Sequence, residues 1–301
     1  MIRCLNLDSE FVPVPYPEVR FKTIQFPTGE RQIRLDTKID YSNIDKVVIT
    51  ARYSKSVGDR ILMDIATAVD ALEERGVKNF DIILPYFPHS RQDRITVEGE
   101  AYTLDVFSKM LHGIPTIDGW EAIHTFDMHS EKGRLNAGCK SKNNHEFIQW
   151  VLPQIKGNQR PILIVPDAGA KEKAEALYIS SPSPFDTISY CSKRRDPKTG
   201  RLSGFEAGHP DYLGKPCIIV DDICDGGGTF IGLAQELKKH NAGNLYLAVS
   251  HGIFSKGLEN LSSYFNGPFK KIFTTNSYRR TRSNQEMLNV HFSGYEYQIQ
   301  W

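Results

Sequence analysis

The chain has 301 residues, 40% hydrophobic and 24% charged, with 37 basic and 36 acidic side chains and a formal net charge of +1. This is the composition of a folded chain long enough for two cores; it excludes disorder, and it excludes binding to nucleic acid or membrane through overall charge. No stretch approaches the roughly 20 apolar residues of a membrane span, and five cysteines without a CxxC pair predict a reducing, cytoplasmic setting rather than a disulfide framework or a zinc ribbon.

The opening segment MIRCLNLDSEFVPVPYPE is too broken by charge and proline to act as a secretory leader. The apolar run from Val47 to Thr50 predicts a short buried strand. Ile61, Leu62, Ile65, Ala68, Val69 and Leu72 then recur at helical spacing, predicting a helix from Asp59 to Glu74 that Gly76 closes. A second strand, Phe80 to Leu84, runs into the proline-punctuated segment PYFPHSRQDR, Pro85 to Arg94. A helix from Thr103 to Leu111 and a strand from Ala122 to Phe126, ending in the polar tip DMHS, extend the alternation.

The same order restarts after NQRP, Asn158 to Pro161: a strand from Ile162 to Val165, the loop PDAGAKEKA, a helix, and a strand ending in YCSKRRD, Tyr190 to Asp196. The polar stretch DPKTGRLSGFEAGHPDYLGK has the composition of a mobile flap. A strand from Cys217 to Val220, a glycine loop, a helix from Phe230 to His240 closed by Asn241 and Gly243, and a strand from Leu245 to Val249 follow. The fold class is α/β, with two similar doubly wound parallel-sheet domains expected at residues 1–141 and 142–301 and the last residues free to return to the first half. Ligands of such sheets lie beyond the carboxyl ends of the strands, where every polar motif above falls.

The strongest local signal is VDDICDGGGT, Val220 to Thr229. Gly226, Gly227 and Gly228 let the backbone approach a ligand, the following helix start can point its amides at a phosphate, and the Thr229 hydroxyl adds a donor. Asp221, Asp222 and Asp225 offer acceptors for ribose hydroxyls or an associated Mg²⁺. A flexible turn with acidic capping would look similar if the glycines stood without the acidic pair. Arg91 and Arg94 suit phosphate oxygens and Gln92 an amide-like edge, or RQDR, Arg91 to Arg94, forms a solvated loop in which an arginine pairs with Asp93. Asp127, His129 and Asp167 follow buried strands and suit one Mg²⁺ completed by substrate phosphates, although a lone histidine is commonly structural. Lys193, Arg194 and Arg195 are either a basic surface run or a cationic loop that closes over developing charge.

These motifs resemble, in order and spacing over nearly the whole chain, the ribose-phosphate pyrophosphokinases, also called phosphoribosyl pyrophosphate synthetases. The residues that carry the likeness are FPTGE at Phe26 to Glu30, PYFPHSRQDR, FDMHS at Phe126 to Ser130, SKRRD at Ser192 to Asp196, and the glycine loop. The resemblance implies domains of phosphoribosyltransferase type and transfer of the β,γ-diphosphoryl group of ATP to the C1 hydroxyl of ribose 5-phosphate. It implies ATP contacts from Arg91, Gln92 and Arg94, with Phe26 and Glu30 reaching across from a neighbouring subunit of a dimer or hexamer. It implies a ribose-phosphate site at Asp221, Asp222 and Asp225 to Thr229, a pyrophosphate loop at Asp167, Gly169 and Lys171, Mg²⁺ at His129 and Asp167, and transition-state charge supplied by Lys193 and Arg195. The sequence departs from the family pattern at Thr28 (usually aspartate), Ala170 (usually glycine) and Gly226 (usually threonine). The same transfer to ADP-ribose, a phosphoribosyltransferase and a non-catalytic regulatory subunit are the alternative readings.

Overall fold

The computed structural model describes residues 1–114, 122–155, 159–179, 184–195, 202–278 and 290–292. The chain divides into two compact units: Met1–Asn143 with a segment that returns from Asn276, and Asn144–Thr275 with a later strand. No helix among the described residues is long and apolar enough to cross a membrane.

Unit 1 contains β1 (Ile2–Asn6), β2 (Phe21–Gln25), β3 (Arg31–Leu35), β4 (Lys46–Thr50), α1 (Arg60–Glu73), β5 (Phe80–Ile83), α2 (Thr103–His112), β6 (Ile123–Phe126), α3 (Glu131–Ala137) and β7 (Lys140–Lys142). Its sheet has the order β1-β4-β5-β6-β7, with every pair parallel. β5 and β6 are buried along their whole length, as strands covered on both faces require. α1 buries the six residues whose spacing predicts it, Ile61, Leu62, Ile65, Ala68, Val69 and Leu72. Beyond β1, Glu18 makes an isolated parallel bridge with Cys4. This bridge lies on the edge of β1 that faces away from β4.

Unit 2 contains α4 (His145–Ile155), β8 (Ile162–Val165), a 3-10 turn (Ala168–Ala170), α5 (Lys171–Ile179), β9 (Ile188–Tyr190), β10 (Ser192–Arg195), β11 (Leu202–Glu206), β12 (Cys217–Cys224), α6 (Gly228–Lys239), β13 (Leu245–Gly252), β14 (Phe269–Thr274) and β15 (Val290–Phe292). The order is β15-β14-β13-β12-β8-β9, again all parallel. From β8 the chain steps outward to β9 and then back past β8 to β12, so this sheet is doubly wound with its reversal between β8 and β12.

Three local expectations change. β12 does not stop at Val220 but continues to Cys224, because β13 stays beside it as far as Gly252. α6 starts two residues earlier than the apolar spacing indicates, at Gly228. The polar stretch after SKRRD is not a featureless flap: β10 and β11 pair antiparallel. Two aromatic residues anchor it. Phe205 is 9% exposed and Tyr212 1% exposed, and the Tyr212 hydroxyl shares a 2.8 Å hydrogen bond with Ser189 Oγ. Residues 196–201 of that stretch lie outside the described residues. β1 and the β2–β3 hairpin have no counterpart in the apolar pattern, since only part of each is buried.

Candidate active site

The crevice of unit 2 opens where two parallel strands part. β8 pairs with β12 from Ile162 to Ile164 opposite Cys217 to Ile219. Pro166 then offers no N–H to carry the ladder on, and the chain turns into the 3-10 helix. β12 continues beside β13 alone, so Asp221 and Asp222 stand at the point of reversal, where doubly wound sheets place ligands. The cleft there is lined by Asn144, Ala170, Lys173, Leu177, Asp221 and Asp222. Ala170, Lys173 and Leu177 reach it from one face of the turn and α5 that follow β8, at the i, i+3 and i+7 spacing of a helix. Lys173 and Asn144 escape the sequence reading, and the helical phase of Lys173 with Leu177 is the signal that locates the lysine.

The Asp222 N–H donates to Asp221 Oδ1 at 2.9 Å. Burial first, and the adjacent Asp222 charge second, push the Asp221 carboxyl well above the usual carboxylate range. Asp167 shows the opposite behaviour. Its Oδ1 accepts the amides of Gly169 at 2.9 Å and Ala170 at 3.2 Å, and its Oδ2 accepts Lys193 Nζ at 2.5 Å. Burial alone would raise this carboxyl, but the Lys193 ammonium and the two amides outweigh it and hold it below the ordinary value.

The loop residue Asp167 and the β10 residue Lys193 are therefore brought into contact. Gly169 is exposed on the same turn. Lys171 is not gathered with them: its ammonium lies 5.6 Å above the Tyr190 ring and 3.9 Å from Glu175. Arg195 contributes backbone to β10, and its side chain lies outside the described structure.

In the glycine loop the conformational demand falls on one residue. Gly227 has φ +76°, and a Cβ there would lie 3.0 Å from both methyl carbons of Leu261. Gly228 would meet nothing within 4 Å, and Gly226, which has no positive φ, would meet the Lys256 stem at ordinary contact distances of 3.4 to 3.7 Å. Gly227 also serves as the N-cap of α6 without a side-chain hydrogen bond, and the first turn carries no acidic residue. The first amides of α6 thus have no side-chain acceptor at the cap, the condition under which a helix start can bind an anion, with Thr229 half-buried in the first turn and Asp225 half-buried before it.

In unit 1 the structure ties two sequence motifs together. Asp93, 3% exposed, accepts the Ser130 hydroxyl at 2.6 Å and Arg94 Nε at 3.1 Å, while Ser130 Oγ caps α3 by accepting the Gly133 amide at 2.9 Å. Burial would raise the Asp93 carboxyl, but Ser130, Arg94 and His129 together hold it below its ordinary value. Asp93 is thus the structural pin between PYFPHSRQDR and FDMHS, a role the sequence reading leaves unassigned. Around it Arg91, Gln92 and Arg94 are exposed and His129 is half-buried. Phe26 and Glu30 form the exposed tip of the β2–β3 hairpin, closed by Phe26 N–H to Glu30 O and Gly29 N–H to Phe26 O, both at 2.9 Å.

Among the described residues no three His, Cys, Asp or Glu side chains cluster as a metal cage. Mg²⁺ needs no such cage where it keeps several waters and takes phosphate oxygens, since one or two protein ligands then suffice. Asp167 in unit 2 and His129 in unit 1 are each single donors of a kind Mg²⁺ can use, the carboxylate better suited than the imidazole.

Residues 14–114 match the family model for the N-terminal domain of ribose phosphate pyrophosphokinase, and residues 141–275 match the phosphoribosyl transferase domain. The ribose-phosphate pyrophosphokinase of Pyrococcus furiosus is 30% identical over 261 residues, covering 84% of each chain. The chain belongs to the ribose-phosphate pyrophosphokinase family. The homologous enzyme of Sulfurisphaera tokodaii is 28% identical over 94% of this chain and 92% of its own. The fold agrees with phosphoribosylpyrophosphate synthetase from Mycobacterium smegmatis, with a TM-score of 0.75 over 97% of this chain and 94% of that one at 18% identity. Within the family's phosphate loop, Gly226 stands out as a glycine that the backbone does not require.

Two outcomes follow from this geometry. Gly227→Ala should cost roughly 1–2 kcal/mol through its left-handed backbone and the Leu261 contact, whereas Gly228→Ala, in an open helix turn, should be neutral or stabilising by up to about 1 kcal/mol. Urea denaturation of both variants checks this, and equal losses would contradict it. Because the folded Asp167 carboxyl is held below its unfolded value, its stabilisation is complete above the unfolded carboxylate pKa and is lost as pH falls through the folded one. Lys193→Ala should therefore move the Asp167 titration upward and shift the acid limb of unfolding to higher pH; an unmoved carboxyl resonance in an NMR titration would show that the pair does not form in solution.

Proposed function

We propose that the chain transfers the β,γ-diphosphoryl group of ATP to the C1 hydroxyl of ribose 5-phosphate, giving phosphoribosyl pyrophosphate and AMP. The observation that carries this reading is the pairing of a lysine from β10 with the Asp167 turn at the mouth of a crevice that also holds Asp221, Asp222 and an uncapped helix start. A sugar phosphate needs acceptors for its hydroxyls and amides for its phosphate, and a diphosphoryl group in flight needs a nearby cation.

In this reading Asp221 and Asp222 hold the ribose hydroxyls, and the backbone from Asp225 to Thr229 binds the phosphate. The Asp167 and Gly169 turn, with Lys171 at the start of α5 beside it, receives the transferred group. We assign the ATP side to the 1–141 half, with Arg91, Gln92 and Arg94 on the nucleotide. We assign Phe26 and Glu30, on their exposed hairpin tip, to the nucleotide site of a neighbouring copy in a dimer or hexamer. The C1 oxygen bonds to the β-phosphorus, the bond from that phosphorus to the oxygen bridging to the α-phosphorus breaks, and AMP leaves with that oxygen while the hydroxyl proton passes to solvent. Lys193 and Arg195 stabilise the charge that develops on the group in transit. Mg²⁺, held by Asp167 and His129 together with the phosphates, would neutralise the polyphosphate. The five cysteines, all free and buried, accord with a cytoplasmic setting.

A second acceptor is favoured by one observation. Position 226 lacks the threonine of the family pattern, and the backbone there would accept a side chain, so its absence leaves the phosphate end of the site less enclosed. ADP-ribose, whose 5′-phosphate carries a substituent, could use that opening.

Turnover with ATP and either ribose 5-phosphate or ADP-ribose, followed by AMP release, tests both readings. Faster use of ribose 5-phosphate is expected, with Lys193→Ala losing roughly a hundredfold in kcat and much less in acceptor KM. Faster use of ADP-ribose would replace the first acceptor with the second. The absence of AMP with both would remove the catalytic assignment.

A further inference from the structure

The segment proposed to hold a phosphate dianion is itself acidic: Val220 to Thr229 contains Asp221, Asp222 and Asp225 and neither lysine nor arginine. The partial positive charge of a helix start amounts to about half an elementary charge. A cation from elsewhere in the unit would offset the three carboxylates facing a dianion bound there.

The loop after β13 supplies one. In the β12–β13 register Cys224 lies opposite Gly252, so the two strands deliver their following loops side by side. Three backbone hydrogen bonds fasten these loops: Ile253 N–H and Phe254 N–H to Cys224 O, each at 3.0 Å, and Ser255 N–H to Asp225 O at 3.1 Å. Gly257, with φ +77° and its N–H bonded to Phe254 O at 2.9 Å, fixes the far side of the turn. Between these ties stands Lys256. Its stem flanks the glycine loop, with Cδ and Cε 3.4 Å from where a Cβ of residue 226 would be. The side chain is exposed and has no ion-pair or hydrogen-bond partner among the described residues.

We infer that Lys256 is a specificity-determining residue of the acceptor site, its ammonium group binding the phosphoryl group on the 5′ carbon of the sugar. The lysine occupies the flank that a branched side chain at position 226 would crowd, so the glycine and the lysine act as a pair. A threonine at 226 encloses the phosphate with a hydroxyl; glycine leaves the flank to a flexible cation that can follow a plain phosphate or a substituted one. The chemistry recognised is a 5′-phosphoryl group, whether from ribose 5-phosphate or from ADP-ribose.

This inference rests on the proposed function, and its test separates the two. Calorimetric binding of ribose 5-phosphate and of ADP-ribose is measured for the full chain alongside turnover, using the native protein, Lys256→Met, Lys256→Arg and Gly226→Thr with and without Lys256→Met. Methionine keeps the apolar stem and removes the charge. It should weaken acceptor binding and raise acceptor KM about tenfold, the scale of one charge-assisted bond, with the effect falling on KM rather than kcat and the KM for ATP unmoved. Arginine should recover most of the loss. In Gly226→Thr the threonine displaces the lysine stem, so the methionine substitution should then cost much less than tenfold. Acceptor affinity within twofold of native in Lys256→Met, or an equal loss on the Gly226→Thr background, would overturn the inference. Weakened binding without any AMP production by the native protein would retire the proposed reaction while leaving Lys256 in its role, and no binding of either acceptor by the native protein would overturn both.

Discussion

The site depends on an unequal ladder. β12 has a neighbour on both sides for three residues and on one side for the rest, because β8 ends its pairing at Ile164, just before Pro166, while β13 stays in register as far as Gly252. A strand paired on one side still keeps its direction, so Asp221 and Asp222 project from an ordered edge rather than from a loop. The missing neighbour leaves a crevice whose far wall is the Asp167 turn and the start of α5. The reversal of chain order guarantees the gap, since the connections from β8 and β12 depart in opposite senses. Placement of the carboxylates, access for a ligand and the nearby helix start all follow from where one strand stops.

Electrostatics divides the aspartates of this edge into two kinds. Asp167 sits against an ammonium group and two amides and is held ionised; Asp221 sits beside another aspartate in a desolvated position and resists ionisation. The first is suited to hold a cation and the second to share hydrogen bonds with hydroxyls. Lys193, meanwhile, has a partner before any substrate arrives, and its ammonium is held in one place instead of sampling the rotamers of a free lysine.

Much of this is legible in the sequence because it is local. Apolar runs locate β4, β5, β6, β8 and β13, and α1 buries the residues its spacing names. The glycine loop reads as strand, turn and helix start in the right order, although the strand runs on to Cys224 and the helix begins at Gly228. The β2–β3 hairpin does not stand out, since only a minority of its residues carry the apolar signal, and β1 is too short and too interrupted by Arg3 and Asn6 to do so. The polar stretch after SKRRD reads as a flap because charge and glycine dominate it, yet Phe205 and Tyr212 are enough to fold part of it into a hairpin. Contacts between distant residues are the least legible. Nothing in the spacing of Asp167 and Lys193, or of Asp93 and Ser130, announces that they meet; the fold brings them together.

Lys256 illustrates how such a contact acquires meaning. Read along the chain it is one lysine in the turn IFSKG, thirty residues beyond the glycine loop, and carries no motif. Parallel pairing of β12 with β13 converts that separation into contact, and three backbone bonds make the contact a fixed one. Gly226 acquires its meaning at the same moment. The backbone there would accept any residue, so glycine is not a demand of the turn in the way Gly227 is. A side chain branched at Cβ would press on the lysine stem, and the lysine in turn fills the flank the missing side chain leaves. Each residue makes the other reasonable, and neither is explained by the strand, the helix or the turn alone. What the pair shares is the face of the loop where a phosphate would lie, and a loop with three carboxylates and no cation of its own is where one lysine alters the field most.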